Sequence, residues 1–296
     1  MKLFNLRTFA LMTALLAFVL TSCNETTNPT SPKPNAPSAL KATSIDNQTI
    51  RLKFDASTSE NDGGFSGYTL DIAPGVFATK TLTKAQTVYD VTGLTEGTVY
   101  TFTIKSKNGD QESVGATITW SPATRFINNV NGDIIKVYEY ASSFGSGLDF
   151  YDASGNAPKV YTVANGAYWN IGLDTRTSGS IILSSPDLLN YNFGTQPGVT
   201  EISQSYFDTN DLNTVFDSQA LDAGPFAERS IDLSTLDVTT GVVFICRVKE
   251  GSNTTWTYAK LLIKKTGGSF LQGAAPNRYL ECEVSYQKVA GVPYAL

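Results

Sequence analysis

The sequence contains no histidine, and its two methionines, Met1 and Met12, both lie near the start of the chain. Imidazole is the side chain that most often moves protons near neutral pH, so its absence removes Ser-His-Asp and Cys-His catalytic units. The lack of histidine, and of methionine beyond residue 12, also removes the usual nitrogen and thioether ligands for haem, copper and zinc. Basic residues are few: 22 Lys and Arg stand against 27 Asp and Glu, a net charge of −5. No basic stripe gathers anywhere, which argues against nucleic acid and anionic membrane surfaces as partners. Cysteine is limited to Cys23, Cys246 and Cys282. Long stretches of helical period are missing beyond the N-terminal segment, whereas Val, Ile, Thr, Tyr and Phe recur in short runs. That pattern predicts an all-β fold.

The N-terminal segment opens with Lys2 and Arg7, followed by an uncharged run from Thr8 to Leu20 rich in Leu, Ala and Phe. A positive start, an apolar run of roughly a dozen residues and small residues thereafter describe a secretory signal. The run is too short for a transmembrane span, which needs about 20 apolar residues. Leu20-Thr21-Ser22-Cys23 closes it and resembles the bacterial lipoprotein pattern. The resemblance implies cleavage after residue 22 and acylation of Cys23, so the lipid bilayer is the expected partner at this end. Residues 1–22 carry two basic and no acidic groups, so their removal moves the formal charge from −5 to −7. Asn24 follows the cysteine, where enterobacterial lipoproteins kept at the inner membrane have aspartate. By that analogy the expected location is the outer membrane, on its periplasmic side or at the cell surface.

Asn24 to Ala36, with Pro29, Pro32 and Pro34, reads as a polar tether for residues 23–36, reaching about 3 Å per residue. From Pro37 to Pro122 the chain alternates apolar and polar residues in short runs. Thr49 to Phe54 and Gly67 to Ile72 are strands of period two, separated by the turn Asp62-Gly63-Gly64. Leu94, Gly97 and Tyr100 precede the alternating run to Ile104 and resemble the tyrosine corner of immunoglobulin-like sandwiches. Together with Gly67-Tyr68 and Asn108-Gly109, the segment 37–122 is similar to a fibronectin type III domain. Phe54 stands where such domains have a core tryptophan. No Arg-Gly-Asp loop is present, and the resemblance implies a spacer.

A second β-rich region is expected over 123–296. Asp133 to Tyr140, Lys159 to Val163, Tyr168 to Leu173 and Gly179 to Ser185 read as strands, with Ser142 to Gly147 as a turn. Ser205 to Gln219 lacks period two, and Asp208 or Thr209 is expected to cap one short helix through Val215-Phe216. Gly241 to Lys249, Thr255 to Thr266 and Arg278 to Lys288 form an antiparallel meander. Tyr168-Trp169-Asn170-Ile171, Ser180 to Ser185, Val242 to Ile245, Tyr258 to Ile263 and the last strand to Tyr286 follow an order similar to the HmuY-like lipoproteins. That resemblance implies a mostly β ligand-binding domain, with haem held through two histidines in some members. This chain has none, so haem or a related ligand would be held by tyrosine or by apolar contact.

Three further groups bear on function. Cys246 and Cys282 fall on the apolar faces of the first and third strands of the meander. At about 4.8 Å per strand they sit roughly 9–10 Å apart, beyond disulfide reach, which favours two buried thiols. Asp208, Asp211, Asp217 and Asp222 form the densest oxygen cluster, but EF-hand spacing fails and a capped helix with solvated acids is expected. Tyr161, Tyr168, Trp169 and Tyr191 are the candidate aromatic surface for a glycan or small ligand, although only one of Tyr168 and Trp169 can face inward. The reading as a whole is a tethered, non-catalytic binding or surface-interaction lipoprotein. It needs no cofactor or metal, and its partner is an extracellular protein, a glycan or a small ligand.

Overall fold

The computed structural model describes residues 32–162, 169–189, 198–217 and 226–293. Within them lie twenty strands and two single 3-10 turns, at Leu212–Thr214 and Leu233–Thr235. Among the described residues no α-helix forms, and no helix is long and apolar enough to cross a membrane. The fold is all-β, as the alternation of short apolar runs predicts.

The first eight strands make a sandwich. One sheet has the order β1 (Ser38–Asp46), β2 (Thr49–Asp55), β5 (Val88–Val91). The other runs β4 (Lys80–Leu82), β3 (Phe65–Ala73), β6 (Tyr100–Asn108), β7 (Gln111–Glu112), with β8 (Ala116–Trp120) also paired to β6. Residues of β6 alternate strictly between buried and half-buried, because successive side chains point to opposite faces of a sheet. Phe54 and Phe65 both meet Tyr68 edge-on, with ring centroids 5.0 and 5.3 Å apart. The tryptophan of this core is Trp120, fully buried on β8, whose indole Nε1 donates to Ser44 Oγ at 3.2 Å. Tyr100 does form the corner: its hydroxyl accepts the Thr95 amide at 3.1 Å. The end of the expected tether is not free. Asn35 N donates to Ser59 Oγ, Pro32 O accepts from Asn108 Nδ2, and Pro34 is buried, so Pro32 to Ala36 lie against the sandwich. Polar composition left this segment looking unattached, but its backbone groups find partners on the adjacent loops.

The rest of the chain forms two further sheets. The larger has the order β10 (Ile135–Tyr138), β20 (Tyr279–Tyr286), β19 (Thr257–Lys264), β18 (Gly241–Lys249), β15 (Val199–Asp208), β16 (Phe226–Glu228), with β9 (Thr124–Phe126) also on β20. The smaller is β12 (Ala157–Tyr161), β11 (Gly147–Asp152), β13 (Ile171–Asp174), β14 (Ile182–Ser184), β17 (Ser230–Asp232). The larger sheet is the middle layer of the molecule. Phe244, Cys246, Ala259, Leu261, Ile263 and Val284 face the smaller sheet. Ile245 and Tyr258, on the opposite face, share a core with Leu52, Phe102 and Trp120 of the sandwich. A strand buried on both faces has no polar side to show, hence the nearly unbroken apolar runs of β18 and β19.

The meander β18-β19-β20 has the expected sequential order. Cys246 stands opposite Ala259, Cys282 opposite Ile263, and both thiols are free and buried. The two cysteines are therefore offset along the strands as well as across them. Two expectations fail. Gly147 begins β11 instead of ending a turn: it is buried against the Trp169 ring, while Leu148 and Phe150 are buried between the sheets. The helix expected near 208–216 is reduced to the 3-10 turn Leu212–Thr214, capped by Asp211, whose side chain accepts the Asn213 amide. β15 runs through Asp208 because Tyr206, Phe207 and Asp208 pair with β18, and long-range pairing overrides the weak local cap signal.

Candidate functional site

Two concave surfaces flank β12. The larger is a cleft of about 500 Å³ whose walls come from β10, the 129–133 loop, Phe144 and β12. The sequence Lys136-Val137-Tyr138-Glu139-Tyr140 decides the first wall. Period two turns Val137 and Glu139 inward and leaves Lys136, Tyr138 and Tyr140 outside. Tyr138 stands opposite Tyr279 of β20, with ring centroids 5.7 Å apart, and Phe144 lies 5.1 Å from Tyr138. Lys136 Nζ sits 4.6 Å over the Tyr279 ring. Phe144 is 60 % exposed, a large apolar side chain left uncovered at the rim.

What holds this wall in place is local. Glu139, 4 % exposed, binds the Arg278 guanidinium at 2.7 Å, and the Arg278 amide donates to Glu139 Oε1 at 2.9 Å. The guanidinium holds the Glu139 carboxyl below the usual carboxylate range, against the opposing effect of burial. Tyr138 N donates to Gly145 O, which draws the Phe144 loop onto β10. Gly145 has φ +112°, and a Cβ there would stand 2.6 Å from the Tyr161 carbonyl oxygen, so glycine is required twice over. On the polar side, Asn129 Oδ1 accepts the Asn131 and Asp133 amides at 2.8 and 3.3 Å, which fixes the loop that presents Asn131 and Asp133.

The second surface is a recess of about 200 Å³ lined by Asp149, Tyr151, Asp152, Tyr161, Trp169, Asn170, Gly198 and Glu250. Asp149 is 7 % exposed, and burial pushes its carboxyl up to about 7, opposed by a hydrogen bond from the Tyr151 amide and reinforced by Glu250. It therefore both donates and accepts near neutral pH. Asn170 Nδ2 donates to Glu250 Oε1 at 3.5 Å. Lys159 lies 3.3 Å from Asp152 and 4.7 Å from the Tyr161 ring centre. Among the described residues no three metal-ligating side chains gather.

Of the candidate aromatic residues, Tyr161 and Trp169 both border this recess, while Tyr168 and Tyr191 lie outside the described residues, as does Cys23. Trp169 takes the inward place. It is 2 % exposed, and its indole packs on Gly147 and Gly172, where any Cβ would approach the ring to 2.5–2.8 Å. Its ring is buried on the face of the smaller sheet that carries Gly147 and Gly172, opposite the face that Leu148, Phe150, Ile171 and Leu173 turn to the larger sheet, and Tyr161 is the half-buried partner. Sequence reading passed over Tyr138, Phe144 and Tyr279. The signal for the first was present in the alternation at 136–140, but Tyr279 joins it only through the β10-β20 register. Asp208, from the acidic cluster, caps the Thr239 and Thr240 amides. Asp211 caps the 3-10 turn, and Asp222 lies outside the described residues.

Residues 35–119 match the family described as Fibronectin type III domain. The tyrosine corner at Tyr100 and the two-sheet strand order belong to the same segment. This chain carries a fibronectin type III domain. The chain is 35 % identical over 103 residues to Chitinase Chi52 of Paenibacillus xylanexedens, covering 35 % of this chain and 18 % of that one. It is 29 % identical over 149 residues to Exoglucanase B of Cellulomonas fimi, covering 50 % and 13 %. The chain thus spans less than a fifth of the length of either relative. Among solved structures, FN3tt matches at 22 % identity over 31 % of this chain and 96 % of its own, with a TM-score of 0.26. Domains d3–d4 of the rat CD45 extracellular region match at 19 % identity over 31 % and 51 %, with a TM-score of 0.27.

Proposed function

We propose that this chain is a membrane-tethered, non-catalytic binding protein that takes a saccharide in the cleft beside β10. The observation that carries the reading is the aromatic pair of Tyr138 and Phe144 in the cleft wall, with Tyr279 packed against Tyr138, facing a loop of amide and carboxylate groups. Sugar rings present C–H faces that pack on aromatic rings, and hydroxyls that need paired donors and acceptors; the cleft offers both. Phe144 supplies exposed ring surface, and Asn131, Asp133 and Lys136 supply the polar partners. Two relatives with similarity over part of their length are named a chitinase and an exoglucanase, which makes chitin and glucan oligosaccharides the first ligands to try. Acylation of Cys23 would fix the chain to a bilayer, with the fibronectin type III domain standing between anchor and cleft.

A glycan array with soluble protein from residue 24 onward, followed by calorimetric titration of the hits, tests the reading. Saccharide binding lost at least tenfold in the Tyr138→Ala and Phe144→Ala variants is expected. An array without hits, or binding indifferent to both substitutions, would remove it. A haemin titration giving a ligated Soret band would replace it with small-ligand capture of the HmuY-like kind.

A further inference from the structure

The face of the larger sheet turned toward the fibronectin domain carries Lys260 in the middle of β19, and this side chain is 0 % exposed. Its Nζ donates to Thr43 Oγ1 of β1 at 2.9 Å, to Leu212 O at 3.1 Å and to Val215 O at 3.5 Å. The acceptors thus come from both sides of the domain junction. β1 and the segment after the 3-10 turn also exchange two backbone bonds, Ala42 N to Asp217 O and Asp217 N to Ala42 O, at 2.9 and 3.0 Å. Lysine is almost never fully buried without a carboxylate partner, because an ammonium loses its hydration there. Here it faces neutral oxygens.

The charged groups around it are already engaged elsewhere. Arg125 of β9 binds Glu283 of β20 at 2.6 Å and Asn213 at 2.8 Å, and lies 3.7 Å from Asp211. Glu283 is also held by Lys264. Arg51, opposite Thr43 on β2, is bound to Asp90. Asp211 and Asp217 stand on the turn segment. β18 presents apolar Ile245 opposite Lys260, and β20 presents uncharged Ser285.

We propose that Lys260 is a proton-operated latch between the fibronectin type III domain and the C-terminal sheets, closed by the neutral amine and loosened when it takes up a proton. The neutral amine still donates to Thr43 and a carbonyl but carries no charge to desolvate. Burial, with repulsion from Arg125, lowers this lysine to about 7, while Asp211 and Asp217 pull the other way. Undocked, it would titrate near an ordinary lysine value of about 10.4. Between these two values the docked state binds fewer protons than the undocked one, so docking strengthens as pH rises. Below the lower value both states carry the proton and the gain is gone.

Hydrogen exchange of the full mature chain reads the latch at the Ala42 and Asp217 amides. After correction for intrinsic exchange rates, their protection is expected to fall roughly tenfold per pH unit from about 9 to 7 and to level off below about 6.5. The Lys260→Met variant should show a flat profile. Should that variant fail to fold, the wild-type chain labelled with ¹³Cε-lysine still decides. One lysine titrating near pH 7 is required, and a chain in which every lysine titrates above pH 9.5 would overturn the proposal. So would a Lys260→Met variant whose protection keeps the wild-type slope.

Discussion

Single residues set the chemistry of both concave surfaces. Asp149 is a buried carboxyl raised to about 7, well above the value of about 3.9 it would have in the unfolded chain. The native state binds the extra proton between these values, so this carboxyl's contribution to stability is fully present below about pH 4 and is lost as pH rises toward 7. The expected size is roughly 4 kcal/mol, at about 1.4 kcal/mol per unit. Denaturant titrations from pH 4 to 8 should show this decline, and Asp149→Asn should flatten it. A variant retaining the wild-type slope would show that another group is responsible. Tyr100→Phe removes the hydroxyl that accepts the Thr95 amide and is expected to cost about 1 kcal/mol, read from the urea midpoint. Tyr100 was legible from its Leu-Gly-Tyr context. Asp149 was not, because nothing in Leu148-Asp149-Phe150 says that the carboxyl is covered by chain lying 20 and 100 residues away.

At the scale of elements, β10 and the loop carrying Phe144 form the wall of the cleft. Their anchor is the Glu139–Arg278 pair, in which the carboxylate is 4 % exposed and the guanidinium is more open. Arg278→Ala would leave the buried Glu139 carboxylate without its guanidinium and is expected to cost about 3 kcal/mol and to weaken the proposed saccharide binding. Gly145→Ala is expected to cost about 1–3 kcal/mol through strain at positive φ and contact with the Tyr161 carbonyl, and to displace Phe144. Thermal unfolding and ligand titration together check both, and a variant with lost stability but intact binding would detach the loop from the site. Period two made most strands readable, including the whole β18-β19-β20 meander. It failed at β11, where Gly147 looks like a turn residue but is there to admit the Trp169 ring. It failed again at β15, whose mixed polarity is tolerated because β18 supplies the pairing.

For the whole molecule, the junction between the fibronectin type III domain and the C-terminal sheets is built like an interior. Ile245 and Tyr258 share a core with Trp120 and Phe102, and Gln287 Nε2 donates to the Pro122 carbonyl beneath them. A spacer with its own independent core would unfold by itself, whereas shared burial couples the two parts. Calorimetry of the chain from residue 24 onward is therefore expected to give one cooperative transition. Two resolved transitions would restore the spacer that the sequence suggested.

The sequence by itself determined the all-β class, the fibronectin type III domain, the sequential meander and the absence of imidazole chemistry. Each of these depends on which residues are present and on short periodicities that neighbours along the chain enforce. Only the tertiary structure decided that Trp169 is buried and that Tyr138 and Phe144 form the wall of the cleft, with Tyr279 packed against Tyr138. It also decided that Lys260 is buried at a junction where a polar residue inside an apolar run would otherwise pass for a surface position. Burial and juxtaposition come from strand register and layer packing between distant segments, and no local pattern encodes which distant surface will cover a given side chain.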